Sequence, residues 1–265
     1  MSIIQSIVYG VVQGITEFLP ISSTAHLILV PWFFGWKDPG IVFDVALHIG
    51  TALAVILFFI KDWINLIRAG FTRPKSDDGK LFWFLVIATI PGGFAGIFLD
   101  KYMENIRNPL LIGIVLIVFG IVLYLADKIG KNKIELKNIG LLKSLYVGLS
   151  QALAIVPGIS RSGITMSAGR FLGVARESIA KFTFLLSGPI ILAAGLYHIK
   201  DLKSVPIDII PFIIAILTSA IVGALSIKFL LSYLKKRGFG LFAIYRFALG
   251  TSVIILYFLR LHFLK

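Results

Sequence analysis

The chain contains no cysteine, which excludes disulfide bonds and thiolate metal sites. Acidic residues are also scarce, 13 against 26 Lys and Arg, so the formal net charge is +13. Charged residues make up only 15% of the chain, whereas 58% is hydrophobic and the mean hydropathy is +0.95. A soluble domain of 265 residues could not bury this much apolar surface. We therefore expect an all-α integral membrane protein that crosses the plasma membrane several times.

The basic excess lies in short predicted loops between apolar segments, mainly 61–80, 128–143, 175–181 and 233–240. This pattern is typical of positive-inside topology and of contact with membrane lipids. It does not favour a nucleic-acid partner, because no basic domain stands apart from the apolar segments. The side rich in lysine is predicted to be cytoplasmic, which places both termini outside. The opposite side carries fewer cations: Lys37, Lys101, Arg107, Lys200, Lys203, Arg260 and Lys265.

Ten apolar segments follow one another along the chain. Six can span a bilayer, which needs roughly 20 apolar residues: 43–60, 81–99, 108–127, 182–199, 207–232 and 241–261. The other four form two pairs, 1–19 with 21–34 and 144–156 with 163–174, and three of these four are too short to span comfortably. Each pair is predicted to be a re-entrant helical hairpin, a structure tolerated at membrane depth only inside protein or beside a water-filled cavity.

Each pair of short segments also carries a polar run with a helix-breaking residue. The first run is 13–26 and the second is 157–165. Sliding the chain by 138 residues places Gln13 on Gln151 and Ser22 on Ser160, and a shift of 139 places residues 60–62 on 199–201. Each half would hold an odd number of crossings, so we predict an inverted-topology repeat of residues 1–137 and 138–265 within a single membrane domain.

The first run combines a carboxylate, hydroxyls and an imidazole. Gln13 and Glu17 are four residues apart and share a helix face, while Pro20 ends that helix. Ser22, Ser23 and Thr24 are natural caps for the next helix, and His26 follows within one turn. Glu17 is predicted to act as a base or metal ligand, and His26 as a proton shuttle.

The second run combines a helix break with an arginine. Pro157-Gly158 ends one helix, and Ser160, Arg161 and Ser162 stand at the start of the next. The N–H groups and dipole of a helix N-terminus favour an anion, and the guanidinium fork suits phosphate oxygens. The two runs together predict a phosphate-binding cradle inside the membrane. An internal Glu17–Arg161 salt bridge with a purely structural role is the alternative.

Other polar residues receive ordinary roles. Asp44 and the pair Tyr245-Arg246 lie near segment ends, where interfacial anchoring is expected. Arg170 and Arg176 are expected to face lipid or to lie in loops. The remaining histidines, which have no comparable neighbours, are assigned structural roles: His48, His198 and His262.

The two runs resemble the undecaprenyl-pyrophosphate phosphatase family of the bacitracin-resistance type. That family has an E-x-x-x-E segment leading into P-x-S-S-T-x-H, followed later by P-G-x-S-R-S-x-x-T. The resemblance implies removal of the terminal phosphate from a polyprenyl pyrophosphate, which regenerates the monophosphate lipid carrier of cell-wall synthesis. It also implies a divalent metal, Mg²⁺ or Ca²⁺, and a site that opens toward the outer leaflet.

The same resemblance assigns roles residue by residue. Glu17 matches the second motif acid, Ser23 the nucleophile or oriented hydroxyl, and His26 the motif histidine. Arg161 joins these as a catalytic residue, and the implied phosphate ligands are Ser22, Thr24, Ser160, Arg161, Ser162 and Thr165. The first motif acid is replaced by Gln13, which could bind the metal with Glu17 through its amide oxygen but cannot act as a base.

Two alternatives stay open at this stage. The sequence does not choose between a covalent phosphoserine on Ser23 and direct attack by water. Inverted repeats with broken helices are also typical of transporters for an anion or a lipid. Polyprenyl chain length is not readable, and a homodimer is one open oligomeric state.

Overall fold

The computed structural model describes residues 1–103, 106–197 and 208–263. Those residues confirm the predicted all-α fold. The helices are α1 (Ile3–Phe18), α2 (Ser23–Phe34), α3 (Ile41–Phe58), α4 (Ile60–Thr72), α5 (Asp77–Met103), α6 (Pro109–Ile129), α7 (Gly140–Ala152), α8 (Arg161–Phe171), α9 (Arg176–Tyr197), α10 (Ile209–Leu234) and α11 (Gly240–Phe263). Several positions named above lie outside the described residues: His198, residues 199–201, Lys203 and Lys265.

Length and composition confirm a multi-pass membrane protein. Among the described residues, α5, α6, α9, α10 and α11 are each long and apolar enough to cross a bilayer. Helices α3 and α4 pass the same test only together, and a bend of 73° separates them. The described helices thus give five spans, or six if the bent pair counts as one.

The stretch 61–80, predicted to be a loop, is mostly helical. Helix α4 occupies Ile60–Thr72, and it is strongly amphipathic because Leu66, Ala69 and Gly70 are buried while the opposite face carries charge. It packs against α5, where Gly70 lets the ring of Phe82 approach its backbone. The loop prediction was wrong for this helix: Lys61 and Arg68 lie on its exposed side, and only Arg73 and Lys75 fall in the turn between α4 and α5.

The two short-helix pairs are present as packed hairpins, α1 with α2 and α7 with α8. Ser2 and Gln5 form a capping box at the start of α1, and the chain breaks after Phe18 as Pro20 requires. Ser22 caps α2 with φ +76°, and Ser160 caps α8 with φ +73°. These are the only described non-glycine residues with positive φ. The matching conformations 138 residues apart agree with the repeat, whose bounds stay a prediction.

Arg246 holds the two hairpin turns together. Its guanidinium is fully buried and donates hydrogen bonds to the carbonyl oxygens of Pro20, Gly158 and Ile159. A bond from the Ser162 hydroxyl to the Leu19 carbonyl links the same turns. The prediction that Tyr245 and Arg246 anchor the chain at the membrane interface was wrong for Arg246. A position near the end of an apolar segment does not show which turns pack against the side chain.

Arg170 was also wrongly expected to face lipid or lie in a loop. It is fully buried at the end of α8, where its guanidinium bonds to the carbonyls of Gly130 and Val174 and to Asn132. Arg176 lies beside it and donates a hydrogen bond of 2.5 Å to the Asp127 carboxylate. These arginines therefore close the end of the α7–α8 hairpin against the end of α6.

Candidate active site

A cavity of about 200 Å³ opens between the two hairpins and the neighbouring helices α3, α5 and α9. The first hairpin lines it with Glu17, Ser22, Ser23 and Thr24, and the second with Gln151, Ser160 and Arg161. Helix α3 adds His48, and α5 adds the small residues Gly92, Ala95 and Gly96. The cavity therefore joins polar groups from distant parts of the chain inside an apolar bundle.

Glu17 is the centre of the polar network in this cavity. Its carboxylate is almost fully buried, and its Oε1 forms an ion pair with the Arg161 guanidinium at a distance of 2.5 Å. Its Oε2 accepts hydrogen bonds from the Ser23 hydroxyl at 2.5 Å and from the Gln13 amide at 3.1 Å. A buried carboxylate with these partners stays ionised, because each partner compensates for lost hydration.

Arg161 brings the second hairpin to Glu17. It starts α8, and one further N–H donates to the Ser187 carbonyl at 3.3 Å. These two bonds use two of the five N–H groups of a guanidinium, so the remaining donors can bind an anion in the cavity. The predicted proximity of Glu17 and Arg161 is therefore present in the structure.

The N-termini of helices α2 and α8 both border the cavity. Ser22 and Ser160 carry the strained positive φ there, and each hydroxyl accepts a backbone N–H in its own first turn, from Ala25 and Gly163. Strained backbone of this kind costs about 1–3 kcal/mol and is concentrated at functional sites. Two helix N-termini, one of which begins with Arg161, form a cradle suited to phosphate.

The hydroxyls of two predicted phosphate ligands, Ser162 and Thr165, bond to other parts of the protein. The Ser162 hydroxyl bonds to the first hairpin, as described above. Thr165 is fully buried one turn further along α8, donates to the Arg161 carbonyl at 2.7 Å and accepts from Thr183. Neither residue lines the cavity, whereas Ser22, Thr24 and Ser160 do.

His26 does not line the cavity that contains Glu17. Its Nδ1 is 2.7 Å from the Ser22 carbonyl, and its Nε2 is 2.7 Å from the Tyr245 hydroxyl, with the two rings stacked. It lines a separate apolar pocket beside α11. The expected grouping of Arg161, Glu17 and His26 is therefore present only for the first two. The contact between His26 Nδ1 and the Ser22 carbonyl therefore connects the imidazole to the strained Ser22 backbone.

Among the described contacts of the Glu17 carboxylate, the closest imidazole belongs to His48, for which a structural role was expected. Its Nε2 is 3.6 Å from Glu17 Oε2, and its Nδ1 donates a hydrogen bond of 2.7 Å to the Asp44 carbonyl. The ring is 31% exposed, so it connects the carboxylate to the open cavity. A signal was available: Asp44, His48 and Thr51 recur at helical spacing on one face of an apolar helix.

Gln13 lies one helical turn before Glu17 on α1 and does not line the cavity. Its Nε2 donates to Glu17 and to Thr51, and its Oε1 is buried without a hydrogen-bond partner among the described residues. No group of three or more His, Cys, Asp or Glu residues suited to a metal occurs in the described ranges. Mg²⁺ often binds through one carboxylate together with substrate phosphates and waters. Glu17 and the unpaired Gln13 oxygen fit such a donor set.

Comparison with known proteins gives one consistent result. A family model described as "Bacitracin resistance protein BacA" matches residues 6–252. An undecaprenyl-diphosphatase of Caldicellulosiruptor bescii is 50% identical over 98% of this chain and 99% of its own length. The undecaprenyl-diphosphatases of Moorella thermoacetica and Desulforudis audaxviator are 49% and 51% identical, each over 98% of this chain and their full length.

Proposed function

The chain belongs to the bacitracin resistance protein BacA family and acts as an undecaprenyl-diphosphatase, and we propose that the reaction takes place in the cavity between the two hairpins. The substrate is undecaprenyl pyrophosphate, and removal of its terminal phosphate leaves the monophosphate lipid. The observation that supports this site most is the chain of contacts from Ser23 through Glu17 to Arg161. It gives one cavity a hydroxyl, a proton acceptor and an anion-binding fork.

Arg161 binds the terminal phosphate in this mechanism. Phosphoryl transfer requires mainly positioning and stabilisation of charge on the transferred group. The free N–H donors of Arg161, together with the N-termini of α2 and α8, supply both. The pairing with Glu17 holds the guanidinium in place before substrate arrives, so little ordering is needed when it binds.

Ser23 attacks the terminal phosphorus. Its hydroxyl already donates to Glu17 Oε2, so the carboxylate is placed to take the proton as the oxygen–phosphorus bond forms. The bond to the bridging oxygen breaks, and undecaprenyl monophosphate leaves. Water then hydrolyses the phosphoserine and releases inorganic phosphate. His48 passes the proton from Glu17 to the open cavity, a role that its position beside Oε2 and its partial exposure support.

A divalent metal fits beside this network. Glu17 would hold it at the cavity wall, and the substrate phosphates and waters would complete its coordination; Gln13, behind the cavity wall, is the second candidate ligand. When bound, the metal would neutralise part of the diphosphate charge and act as a Lewis acid. A phosphate-release assay with and without chelator tests this proposal, since loss of activity that Mg²⁺ or Ca²⁺ restores is the expected result.

Purified protein in detergent provides the test of the reaction. With undecaprenyl pyrophosphate it should release phosphate without any membrane gradient, whereas a protein that only transports lipid or anion should not. Ser23→Ala should abolish release and the trapping of labelled phosphate on the chain. Ser226→Ala is the matched control, because its hydroxyl is also buried but bonds only to its own helix on α10. Absence of label on the wild type at single turnover would favour water as the nucleophile.

The orientation in the membrane is proposed from charge. The lysine-rich stretches place α4 and the start of α9 on the cytoplasmic side, with both termini outside. Reporter fusions after Thr72 and after Phe263 test this, and an external reporter at the first position would overturn it. Light scattering on the detergent-solubilised protein tests the homodimer.

A further inference from the structure

Gln151 is a buried polar residue for which the described fold provides no complete set of partners. Its side chain projects from α7 into the wall of the cavity and is only 4% exposed. Its amide Nε2 has no hydrogen-bond partner among the described residues. An unpaired buried donor is costly and uncommon in native proteins, and it points to a ligand that completes it.

Gly92 on the facing helix α5 leaves space for this amide. A Cβ added at Gly92 would lie 2.6 Å from Gln151 Nε2 and 3.2 Å from its Cδ and Cγ. All three of the nearest atoms belong to Gln151. A glycine inside a helix costs about 1 kcal/mol relative to alanine. Its presence at this point therefore keeps the Gln151 amide in its place at the cavity wall.

We infer that the Gln151 amide donates a hydrogen bond to a phosphate oxygen of the diphosphate, and that Gly92 makes room for it. This inference rests on the proposed function. The other anion-binding groups of the cavity point to the same ligand, because Arg161 and Ser160 line it from α8 and its cap. Gln151 adds a neutral donor from α7, the opposite limb of the same hairpin. The diphosphate would then be bound from both limbs.

Gln151→Leu tests the donor directly, because leucine nearly preserves the volume. A hydrogen bond to a charged group contributes enough that its loss should lower kcat/KM about 10- to 100-fold. The inhibition constant of inorganic pyrophosphate, which carries no lipid, should rise by a similar factor. The thermal unfolding temperature should stay the same or increase, since the variant removes an unpaired buried donor. A purely structural Gln151 would give the opposite result, with reduced stability and an unchanged inhibition constant.

A double-mutant cycle tests the role of Gly92. Gly92→Ala should displace the Gln151 amide and raise the pyrophosphate inhibition constant, whereas the same change in the Gln151→Leu background should have little further effect. Gly93→Ala is the matched control on the same helix. Its added Cβ would meet only Ile190 Cδ1, at 3.9 Å. Full additivity of the Gly92 and Gln151 changes would overturn the coupling.

The outcomes separate this inference from the proposed function. If the wild type and Gly93→Ala release no phosphate, the proposed function itself fails. If both release phosphate and Gln151→Leu keeps the wild-type inhibition constant, only the Gln151 assignment is overturned.

Discussion

Replacing both members of the Glu17–Arg161 pair separates a catalytic role from a structural one. The two side chains are 5% and 16% exposed, and their charged atoms meet at 2.5 Å. Arg161→Gln alone leaves the Glu17 charge buried beside Ser23 and Gln13. The loss of one partner of a buried pair costs about 3–5 kcal/mol, because the remaining charge is uncompensated. We therefore expect a large decrease in thermal unfolding temperature for this single variant.

The double variant Glu17→Gln, Arg161→Gln should recover most of that stability. Both charges are gone, the two amides can bond to each other, and replacement of a complete buried pair by neutral groups is often nearly neutral. Activity should not recover, because the cavity has lost its proton acceptor and its anion-binding fork. Thermal unfolding in detergent and phosphate release from undecaprenyl pyrophosphate measure the two properties on the same preparations. Recovery of both stability and turnover would refute the mechanism and leave a structural salt bridge.

Three further substitutions, together with one control, test individual groups. Arg161→Lys should lower kcat/KM at least 100-fold, since a point charge cannot hold Glu17, the Ser187 carbonyl and phosphate together. Arg260→Lys, which changes an arginine that bonds to the carbonyls of α2 outside the cavity, should leave turnover near normal in the same assay. His48→Gln should lower kcat about 100-fold with little change in KM, the pattern of a lost proton relay; equal kcat would remove His48 from the mechanism. Gln13→Glu should lower the Mg²⁺ concentration that gives half-maximal activity. An unchanged titration would show that position 13 is not a ligand.

Much of the fold could be predicted because its causes are local. The lengths of apolar segments set the number of spans, and Pro20 and the Pro157-Gly158 pair break helices wherever they stand. The caps Ser22 and Ser160 follow from the same short runs. The stretch 61–80 was wrongly expected to be a loop, because charged residues such as Lys61 and Arg68 can also lie on the exposed side of a helix that packs against its neighbour.

The site was predictable where two motifs face each other and not where a third element enters. Glu17, Ser23 and Arg161 belong to the two polar runs, so the expectation that the hairpins meet was enough to bring them together. His48 lines the same cavity from α3, and no sequence spacing relates it to Glu17. Gln151 belongs to the second hairpin, where the repeat matches it to Gln13 but indicates no role for its amide. His26, one turn from Ser23, points instead to Tyr245 of α11.

By itself the sequence determined the membrane environment, the broken helices and the chemistry of the two runs, because each depends on neighbouring residues or on composition. The tertiary structure alone decided which histidine reaches Glu17, why Arg246 and Arg170 are buried, and which amide is left without a partner. Those outcomes depend on contacts between segments about 30 to 230 residues apart. The direction in which a side chain points is set by the helix packed against it, and that helix is not adjacent in the sequence.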